Sequence, residues 1–273
     1  MPCGSPARLF YCLTNVTELP LFLAWTSRLE TVRIIPLATL LLLPLPALTH
    51  AAAQDCSDAR ISQVLAPATS LNRSIELDCN LRLSPADIVT KQLVLRAPAA
   101  SGVTLDCGGA TLQAAAGLAA GLRISVISRP YADADAAWIP VEDVLVKNCR
   151  ILGSIRVSGM AENGEDKALT ASSRREGHTG RVRASAPRGI RFDGNKFIGQ
   201  GSIPIYFSPG VHHSSILNSE IDGNSNSVAI YLDAESGDNT IQGNRISTET
   251  TLPQTTKDKA RNLLYSLFKK ISG

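Results

Sequence analysis

The second half of the chain repeats a pattern of short apolar strands, and this repeat constrains the fold more than any other feature. Four stretches resemble one another, namely 141–159, 189–210, 214–237 and 237–247. Aligned on their apolar residues, they share two positions, occupied by Val146, Phe192, Ile216 and Ile241 and by Ile151, Phe197, Ile221 and Ile246. The last two steps at the second position are 24 and 25 residues long. A fixed period of this length is typical of stacked units that bury their apolar face only against their neighbours.

The composition of each unit predicts strands rather than helices. Every copy is short and alternates apolar with polar residues between Gly, Asn or Ser, which is the pattern of half-buried strands joined by turns. Stacking such units in register gives a parallel β-solenoid, an all-β fold. A small polar residue precedes the second shared position, in the order Cys149, Asn195, Ser219 and Asn244. Because Asn tolerates left-handed turn geometry and bonds to nearby backbone, we expect a ladder of these side chains between copies.

These repeats, their Asn-containing turns and the segment VTLDCGGATL (103–112) resemble the right-handed parallel β-helix proteins of the pectate-lyase-like superfamily. The resemblance covers roughly residues 90 to 247 and implies a right-handed parallel β-helix. It also implies an N-terminal cap helix, for which Asp58 to Ala66 is the candidate, with Ser57 as its N-cap residue. The apolar face of that helix would comprise Ile61, Val64 and Leu65.

The N-terminal region has the pattern of a cleaved secretory signal. Residues 32–53 contain a basic start at Arg33, an apolar run from Ile34 to Leu48 and the small residues Ala51 to Ala53. The run contains three prolines and is shorter than the roughly 20 residues of a membrane span. Residues 1–31 are then interpreted as a mis-assigned upstream extension. We therefore expect a secreted or periplasmic protein whose β-helix domain occupies residues 54–250.

Export changes what the cysteines are expected to do. Of the six cysteines, two lie before the predicted cleavage site and four remain. An even number in an oxidising compartment favours disulfides, and Cys56 with Cys79 is the favoured pair because both flank the N-terminal segment. For Cys107 and Cys149 the sequence leaves the connectivity open, with buried thiols as the alternative to a second disulfide. The C-x-x-C spacing of a zinc site does not occur, and no metal site is predicted.

Strand alternation predicts two columns of side chains on the outside of the stack. The first contains Arg156, Tyr206 and Tyr231. The neighbouring column contains Ser158, Ser208 and Asp233. The stretch LRIS (122–125) is expected to add Arg123 and Ser125 to these two columns.

Residues 160–187 interrupt the repeat with a polar stretch that lacks strand alternation. Either a whole turn of degenerate sequence or an inserted loop would account for it, and the composition favours an insertion. In solenoids, insertions often lie on the binding face. From Lys167 to Arg188 the basic residues are Lys167, Arg174, Arg175, Arg181, Arg183 and Arg188, against Glu176 alone. The alternative is a solvated loop without a ligand.

A basic loop beside an arginine and tyrosine column suits an acidic, extended ligand. Arginine binds carboxylates through two parallel hydrogen bonds, and aromatic faces offer apolar surface to a sugar ring. A polysaccharide containing uronate meets both needs, with Arg123, Arg174, Arg175, Arg181 and Arg183 as candidate substrate-binding residues. The formal net charge of +3 is too small to indicate a nucleic-acid partner, and we expect a monomer.

Elimination or C5 epimerisation of a uronate requires a group that neutralises the carboxylate and a base for the C5 proton. Arg156 or Arg123 is the candidate neutraliser, and Tyr206, Tyr231 or His212 the candidate base. Lyase-type chemistry is therefore favoured, although the sequence leaves open whether the chain is an enzyme.

Hydrolysis is a weaker alternative because it requires two carboxylates across the scissile bond. The available carboxylates are Asp233 with Asp193 or Glu235, and no two occupy facing outward positions. The motifs of alginate epimerases, pectate lyases and polygalacturonases do not occur, so no catalytic residue carries over from the resemblance. Because the superfamily includes non-enzymatic members, a carbohydrate-binding or surface-structural module, or a truncated inactive relative, is the rival interpretation.

No cofactor is predicted. Asp222 to Asn224 and Asp238 with Asn239 fit turn chemistry better than a calcium site, which is the weaker alternative because the EF-hand spacing does not occur. The C-terminal region, 251–273, is predicted to contain an amphipathic helix from Lys257 to Ile271. Its apolar stripe is Ala260, Leu263, Leu264, Leu267, Phe268 and Ile271. Three roles stay open for this helix: it caps the end of the solenoid, it lies on a membrane surface, or it is an unrelated sequence that replaces the tail of a longer relative. Membrane contact is expected only through this helix or through an uncleaved signal.

Overall fold

A computed structural model describes residues 53–118, 121–130 and 138–251. These residues form a stack of six coils, each contributing three short strands. Coil 1 contains β1 (Ser74–Glu76), β2 (Leu81–Arg82) and β3 (Ile88–Val89), coil 2 contains β4 (Gln92–Arg96), β5 (Thr104–Asp106) and β6 (Thr111–Leu112), and coil 3 contains β7 (Leu122–Ile127), β8 (Leu145–Lys147) and β9 (Arg150–Leu152). Coil 4 contains β10 (Ser154–Ser158), β11 (Arg191–Asp193) and β12 (Lys196–Gln200), coil 5 contains β13 (Ile205–Phe207), β14 (Ser215–Leu217) and β15 (Glu220–Ser225), and coil 6 contains β16 (Ile230–Leu232), β17 (Thr240–Gln242) and β18 (Arg245–Thr250).

The strands are arranged in three parallel sheets that run along the stack. Sheet 1 takes the first strand of every coil, in the order β1-β4-β7-β10-β13-β16, and sheets 2 and 3 take the second and third strands in the same way. Parallel strands joined by crossovers of one hand form a right-handed solenoid. The predicted all-β parallel β-helix is confirmed, and it begins one coil earlier than the resemblance implied, because coil 1 lies before residue 90.

The inward residues stack in the register that the repeat predicted. In sheet 1, Ile155 pairs with Ile205 and Ile205 with Ile230. In sheets 2 and 3, the columns are Val146, Phe192, Ile216 and Ile241, and Ile151, Phe197, Ile221 and Ile246. The centre of the stack contains an aromatic cluster, in which the Phe192 ring centroid lies 6.3 Å from that of Phe197 and 6.2 Å from that of Phe207.

The predicted ladder at the turn before sheet 3 is confirmed. The backbone N–H of Cys149 donates to Asn195 Oδ1 (2.9 Å), that of Asn195 to Ser219 Oγ (3.1 Å), and that of Ser219 to Asn244 Oδ1 (2.8 Å). Each side chain therefore satisfies a backbone group of the preceding coil that would otherwise be costly to bury. A second ladder, not predicted, runs at the turn before sheet 2 through Ser214 Oγ and Asn239 Oδ1.

Helix α1 (Asp58–Leu65) closes the coil 1 end. Its N-cap is Ser57, whose side chain accepts a hydrogen bond from the Arg60 N–H (3.3 Å). Val64 is fully buried in the core, and Ile61 and Leu65 pack against it. The predicted cap helix and its apolar face are therefore confirmed.

The part of the chain that the structure describes contains two disulfides. One joins Cys56 to Cys79, the pair favoured from the sequence. The other joins Cys107 to Cys149, so of the two alternatives left open by the sequence, the disulfide is present and the buried thiols are not. These cysteines are 42 residues apart in the chain but lie just after β5 and β8, which are neighbouring strands of sheet 2.

Residues 160–187 are an insertion within coil 4, because β10 and β13 pair directly and no further coil lies between them. The insertion contains α2 (Lys167–Ser173), whose N-cap Asp166 accepts a hydrogen bond from the Ala168 N–H, and α3 (His178–Ser185). It has a small core of its own, formed by Ala161, Leu169 and Val182. The sequence predicted the insertion but not its helices.

The predicted extension (1–31), nearly all of the predicted signal (32–53) and the helix Lys257 to Ile271 lie outside the described residues. Within 53–118, 121–130 and 138–251, no helix has both the length and the apolar character that crossing a membrane requires.

Candidate functional site

A column of one cationic and two aromatic side chains lies on the outer face of sheet 1 and is called the sheet 1 column below. It comprises Arg156, Tyr206 and Tyr231, which are paired in register on β10, β13 and β16. The Arg156 guanidinium carbon lies 4.5 Å from the centroid of the Tyr206 ring. The rings of Tyr206 and Tyr231 are stacked, with centroids 5.0 Å apart. The column predicted from the sequence is thus one continuous contact surface, held by cation–π and aromatic packing.

Exposure differs along the column. Tyr206, in the middle of the column, is only 9% exposed, whereas Tyr231, at the coil 6 end of the column, is 39% exposed. The Tyr206 hydroxyl donates a hydrogen bond of 2.6 Å to Asp233 Oδ2. Burial of the phenol, together with this hydrogen bond and the charge of Asp233, raises the pKa of Tyr206 well above its ordinary value. Tyr206 therefore stays protonated at neutral pH and is unsuited to act as a base.

The start of the insertion borders the column on one side. Glu162 Oε2 lies 3.5 Å from Arg156 Nη1, and the backbone carbonyl of Glu162 accepts a hydrogen bond from Ser208 Oγ (2.8 Å). The Gly164 N–H donates to Asp233 Oδ2 (3.0 Å). Glu162 was not predicted as a site residue, because its position beside Arg156 depends on how the insertion leaves β10.

A cavity of about 120 Å³ borders the column on the other side. It is lined by Ser154, Ile155, Arg156, Ser202, Ile203, Tyr206 and Asn226. Asn226 Oδ1 is buried there and has no hydrogen-bond partner among the described residues, which is uncommon for a buried polar atom. Asn226 was not predicted as a site residue, because its loop lies outside the strand repeat.

Arg123 does not belong to the column, and the prediction that placed it there is wrong. A bulge shifts the register between β7 and β10, so that Ser154 pairs with Leu122 but Ile155 pairs with Ile124. Arg123 is the extra residue of this bulge, and Ser125 takes the place next to Arg156. The Arg123 side chain is buried, and it donates to the carbonyl oxygens of Thr90 (3.3 Å), Gln113 (2.9 Å) and Gly121 (3.3 Å).

Of the four arginines in the insertion that are predicted to bind substrate, two hold the insertion together. Arg181 donates to the carbonyl oxygens of Ser172 (2.9 Å), Arg175 (3.1 Å) and Glu176, which satisfies the C-terminal end of α2. Arg183 donates to the Glu235 carbonyl (3.0 Å) and lies 3.5 Å from Asp238, and both contacts dock the insertion onto coil 6.

The other two arginines, Arg174 and Arg175, are exposed at the end of α2. Neither side chain forms an ion pair with any residue in the described ranges. Their role in ligand binding stays a prediction.

The remaining candidates lie away from the sheet 1 column. His212 belongs to the connection between β13 and β14, where its Nδ1 contacts the Gly210 carbonyl (2.8 Å). Asp193 lies on β11 in sheet 2, and Glu235 Oε1 is 3.2 Å from His178 Nε2 of α3. Neither carboxylate faces Asp233 across the column, which agrees with the sequence-based argument against hydrolysis.

A larger cavity, about 480 Å³, lies near the coil 1 end and includes Arg82, Asp106 and Lys147. Its central charges are already paired, because Lys147 Nζ is 3.2 Å from Asp106 Oδ2 and Asn148 Nδ2 is 3.0 Å from Asp106 Oδ1. Although burial raises the pKa of Asp106, these contacts and the Gly108 N–H lower it more. Size alone therefore does not make this cavity the better candidate.

Within 53–118, 121–130 and 138–251, no three His, Cys, Asp or Glu side chains are grouped as metal ligands would be. The residues weighed for calcium serve turns and docking. Asp222 Oδ1 accepts from the Gly223 N–H (2.7 Å), Asn239 bonds to two backbone groups, and Asp238 contacts Arg183.

Comparisons with protein-family models, with curated proteins and with solved structures find no match to this chain. The site is therefore interpreted from its own geometry.

Proposed function

We propose that the sheet 1 column binds an extended acidic polysaccharide that contains uronate residues. The observation that carries the proposal is the unbroken contact of Arg156, Tyr206 and Tyr231 across three coils. A ligand lying along the solenoid axis would follow two strand spacings, about 10 Å. It would meet one guanidinium and one exposed aromatic face within that length.

The Arg156 guanidinium is accessible to an acidic ligand. The side chain of Arg156 is 33% exposed, and its partner Glu162 is 75% exposed, so their ion pair is solvated and contributes little to stability. A ligand carboxylate can replace Glu162 and form the shorter, paired hydrogen bonds that arginine makes with planar anions. Tyr231 offers the accessible ring on which a sugar face would rest.

Binding without bond cleavage is favoured over elimination. The base required by elimination must accept a proton, whereas Tyr206 is protonated and its hydroxyl already donates to Asp233. Lyase or epimerase chemistry is kept as an outcome of the experiment below. The two disulfides support export to the secreted or periplasmic space, because disulfides persist mainly in oxidising compartments.

The test is calorimetric titration of the protein with alginate, pectate and a glycosaminoglycan, with a neutral polysaccharide as the control ligand. We expect at least one polyanion to bind and the neutral chain not to bind. Arg156→Ala should weaken affinity by about tenfold or more, since hydrogen bonds to charged groups contribute about 1.5–3 kcal/mol. Arg150→Ala, which removes an exposed arginine from sheet 3, is the charge-matched control and should leave affinity unchanged.

One result would overturn the proposed site, and another would overturn only its non-catalytic interpretation. Equal losses of affinity in Arg156→Ala and Arg150→Ala would indicate general charge attraction rather than a site. Growth of the ultraviolet absorbance of unsaturated uronate during incubation would show elimination, and the non-catalytic interpretation would then be wrong.

A further inference from the structure

The coil 6 end of the solenoid exposes residues that belong to its interior. Leu232, Ile241 and Ile246 are 40%, 44% and 50% exposed, respectively. Their register partners on coil 5 are Phe207, Ile216 and Ile221, and all three are fully buried. The exposure therefore follows from being in the last coil and not from the residue type.

This apolar surface is distinct from the proposed sugar site. Ile241 and Ile246 lie in sheets 2 and 3, and their side chains point along the interior columns rather than from the outer face of sheet 1. Within the described ranges, β16, β17 and β18 each pair with a strand on one side only. An exposed row of unpaired backbone groups beside apolar side chains is an aggregation hazard that folded proteins usually cover.

The chain itself supplies a segment suited to covering this end. It leaves β18 at Thr250, and residues 251–256 separate that point from Lys257. Six residues span up to about 20 Å when extended, which is enough to bring the following segment back across the open coil. That segment has an apolar stripe of Ala260, Leu263, Leu264, Leu267, Phe268 and Ile271 when placed on a helix.

Charge also fits this partner. Outside the stripe, the segment carries Lys259, Arg261, Lys269 and Lys270 against Asp258 alone. Residues 228–251 of coil 6 carry four acidic side chains, among them the exposed Glu249, against one arginine, Arg245. Attraction between the two would hold the basic residues at the rim while the stripe faces the interior.

We propose that residues 257–271 form an amphipathic helix that docks on the open end of coil 6 and buries Leu232, Ile241 and Ile246. The opposite end of the same stack is closed in this way, by the eight-residue helix α1 with Val64 fully buried. The proposal does not depend on the sugar-binding function, so either one can fail without the other.

The experiment is backbone hydrogen exchange measured on the full-length chain and two variants. Leu264→Asp with Leu267→Asp places two carboxylates in the apolar stripe. Asn262→Asp with Ser266→Asp places the same two charges on the polar face and is the matched control. The circular dichroism of the strands should be retained in both, because the buried core of coils 1–5 is untouched.

In the stripe variant, we expect amides of β17 and β18 to exchange about tenfold faster or more than in the other two proteins, because their cover is lost. Amides of β14 and β15 should be unchanged in all three. Equal exchange at β17 and β18 in the stripe variant and the control would overturn the proposal. Protection that rises with protein concentration would instead identify a second copy as the occupant, and protection that requires anionic vesicles would identify a membrane surface.

Discussion

The two ends of the stack present the same interior columns to different surroundings. At coil 1, helix α1 covers the end, and the inward residues Leu81 and Val89 are 1% and 0% exposed. At coil 6, the equivalent residues Ile241 and Ile246 are about half exposed. A repeating unit buries its apolar face only between two neighbours, so an end coil needs a cover that does not repeat. The difference teaches that a coil contributes most to stability when a neighbouring coil or a cap helix covers it on both sides.

The largest expected difference comes from placing a charge at each end. Val64→Asp buries an unpaired carboxylate beneath coil 1 and should lower the free energy of unfolding by more than about 4 kcal/mol. Ile246→Asp should cost only about 1–2 kcal/mol, because coil 5 covers just half of this side chain and undocking of residues 257–271 leaves the carboxylate hydrated. Urea denaturation measures both. Equal losses would contradict the contrast between the two ends.

A smaller contrast is expected within one interior column. Ile221→Ala removes a fully buried side chain and should cost about 2–5 kcal/mol, whereas Ile246→Ala should cost about 1 kcal/mol. Repeating both substitutions in the Leu264→Asp, Leu267→Asp background sharpens the comparison. The cost of Ile246→Ala should then shrink while that of Ile221→Ala stays the same, since only Ile246 would contact residues 257–271. If the cost of Ile246→Ala is the same in both backgrounds, Ile246 does not contact residues 257–271 and the prediction is wrong.

The asparagine ladder gives the same comparison for polar groups. Asn195 accepts from the Cys149 N–H and donates to the Val146 carbonyl (3.0 Å), and the residue is 2% exposed. Asn195→Ala should therefore cost about 1–3 kcal/mol for each buried partner left unpaired. Asn244→Ala removes the same kind of bonds from a half-buried side chain at coil 6 and should cost about 1 kcal/mol. Thermal denaturation measures the loss of stability in both variants. A larger loss for Asn244→Ala than for Asn195→Ala would contradict the prediction.

The smallest effect concerns acid stability. A hydrogen bond from Asn218 on coil 5 and the contact with Arg191 lower the pKa of Asp193. Its stabilising contribution is therefore present above the unfolded pKa of about 3.9 and is lost as the pH falls through the lower folded pKa. Asn218→Ala should raise the pKa of Asp193, measured by carboxyl NMR. An unchanged pKa would show that this bond between coils does not act on Asp193.

The sequence by itself determined the register of the stack. Side chains alternate along a strand, and the spacing of Phe197, Ile221 and Ile246 fixes which residues meet. The inward columns, the ladder through Asn195 and the alignment of Arg156, Tyr206 and Tyr231 therefore followed from counting residues. Helix α1 was also predictable, because Ser57 and the apolar face of Asp58–Leu65 are local signals, whereas its role as a cap was implied by the family resemblance.

Only the tertiary structure decided the contacts that join unlike segments. The bulge at Arg123, the Cys107–Cys149 disulfide and the approach of Glu162 to Arg156 all depend on how loops of different length leave their strands. The buried oxygen of Asn226 depends on a loop outside the repeat. A repeat predicts contacts between equivalent positions, because those are set by backbone geometry alone. Contacts between non-equivalent positions are set by packing, which no spacing in the sequence encodes.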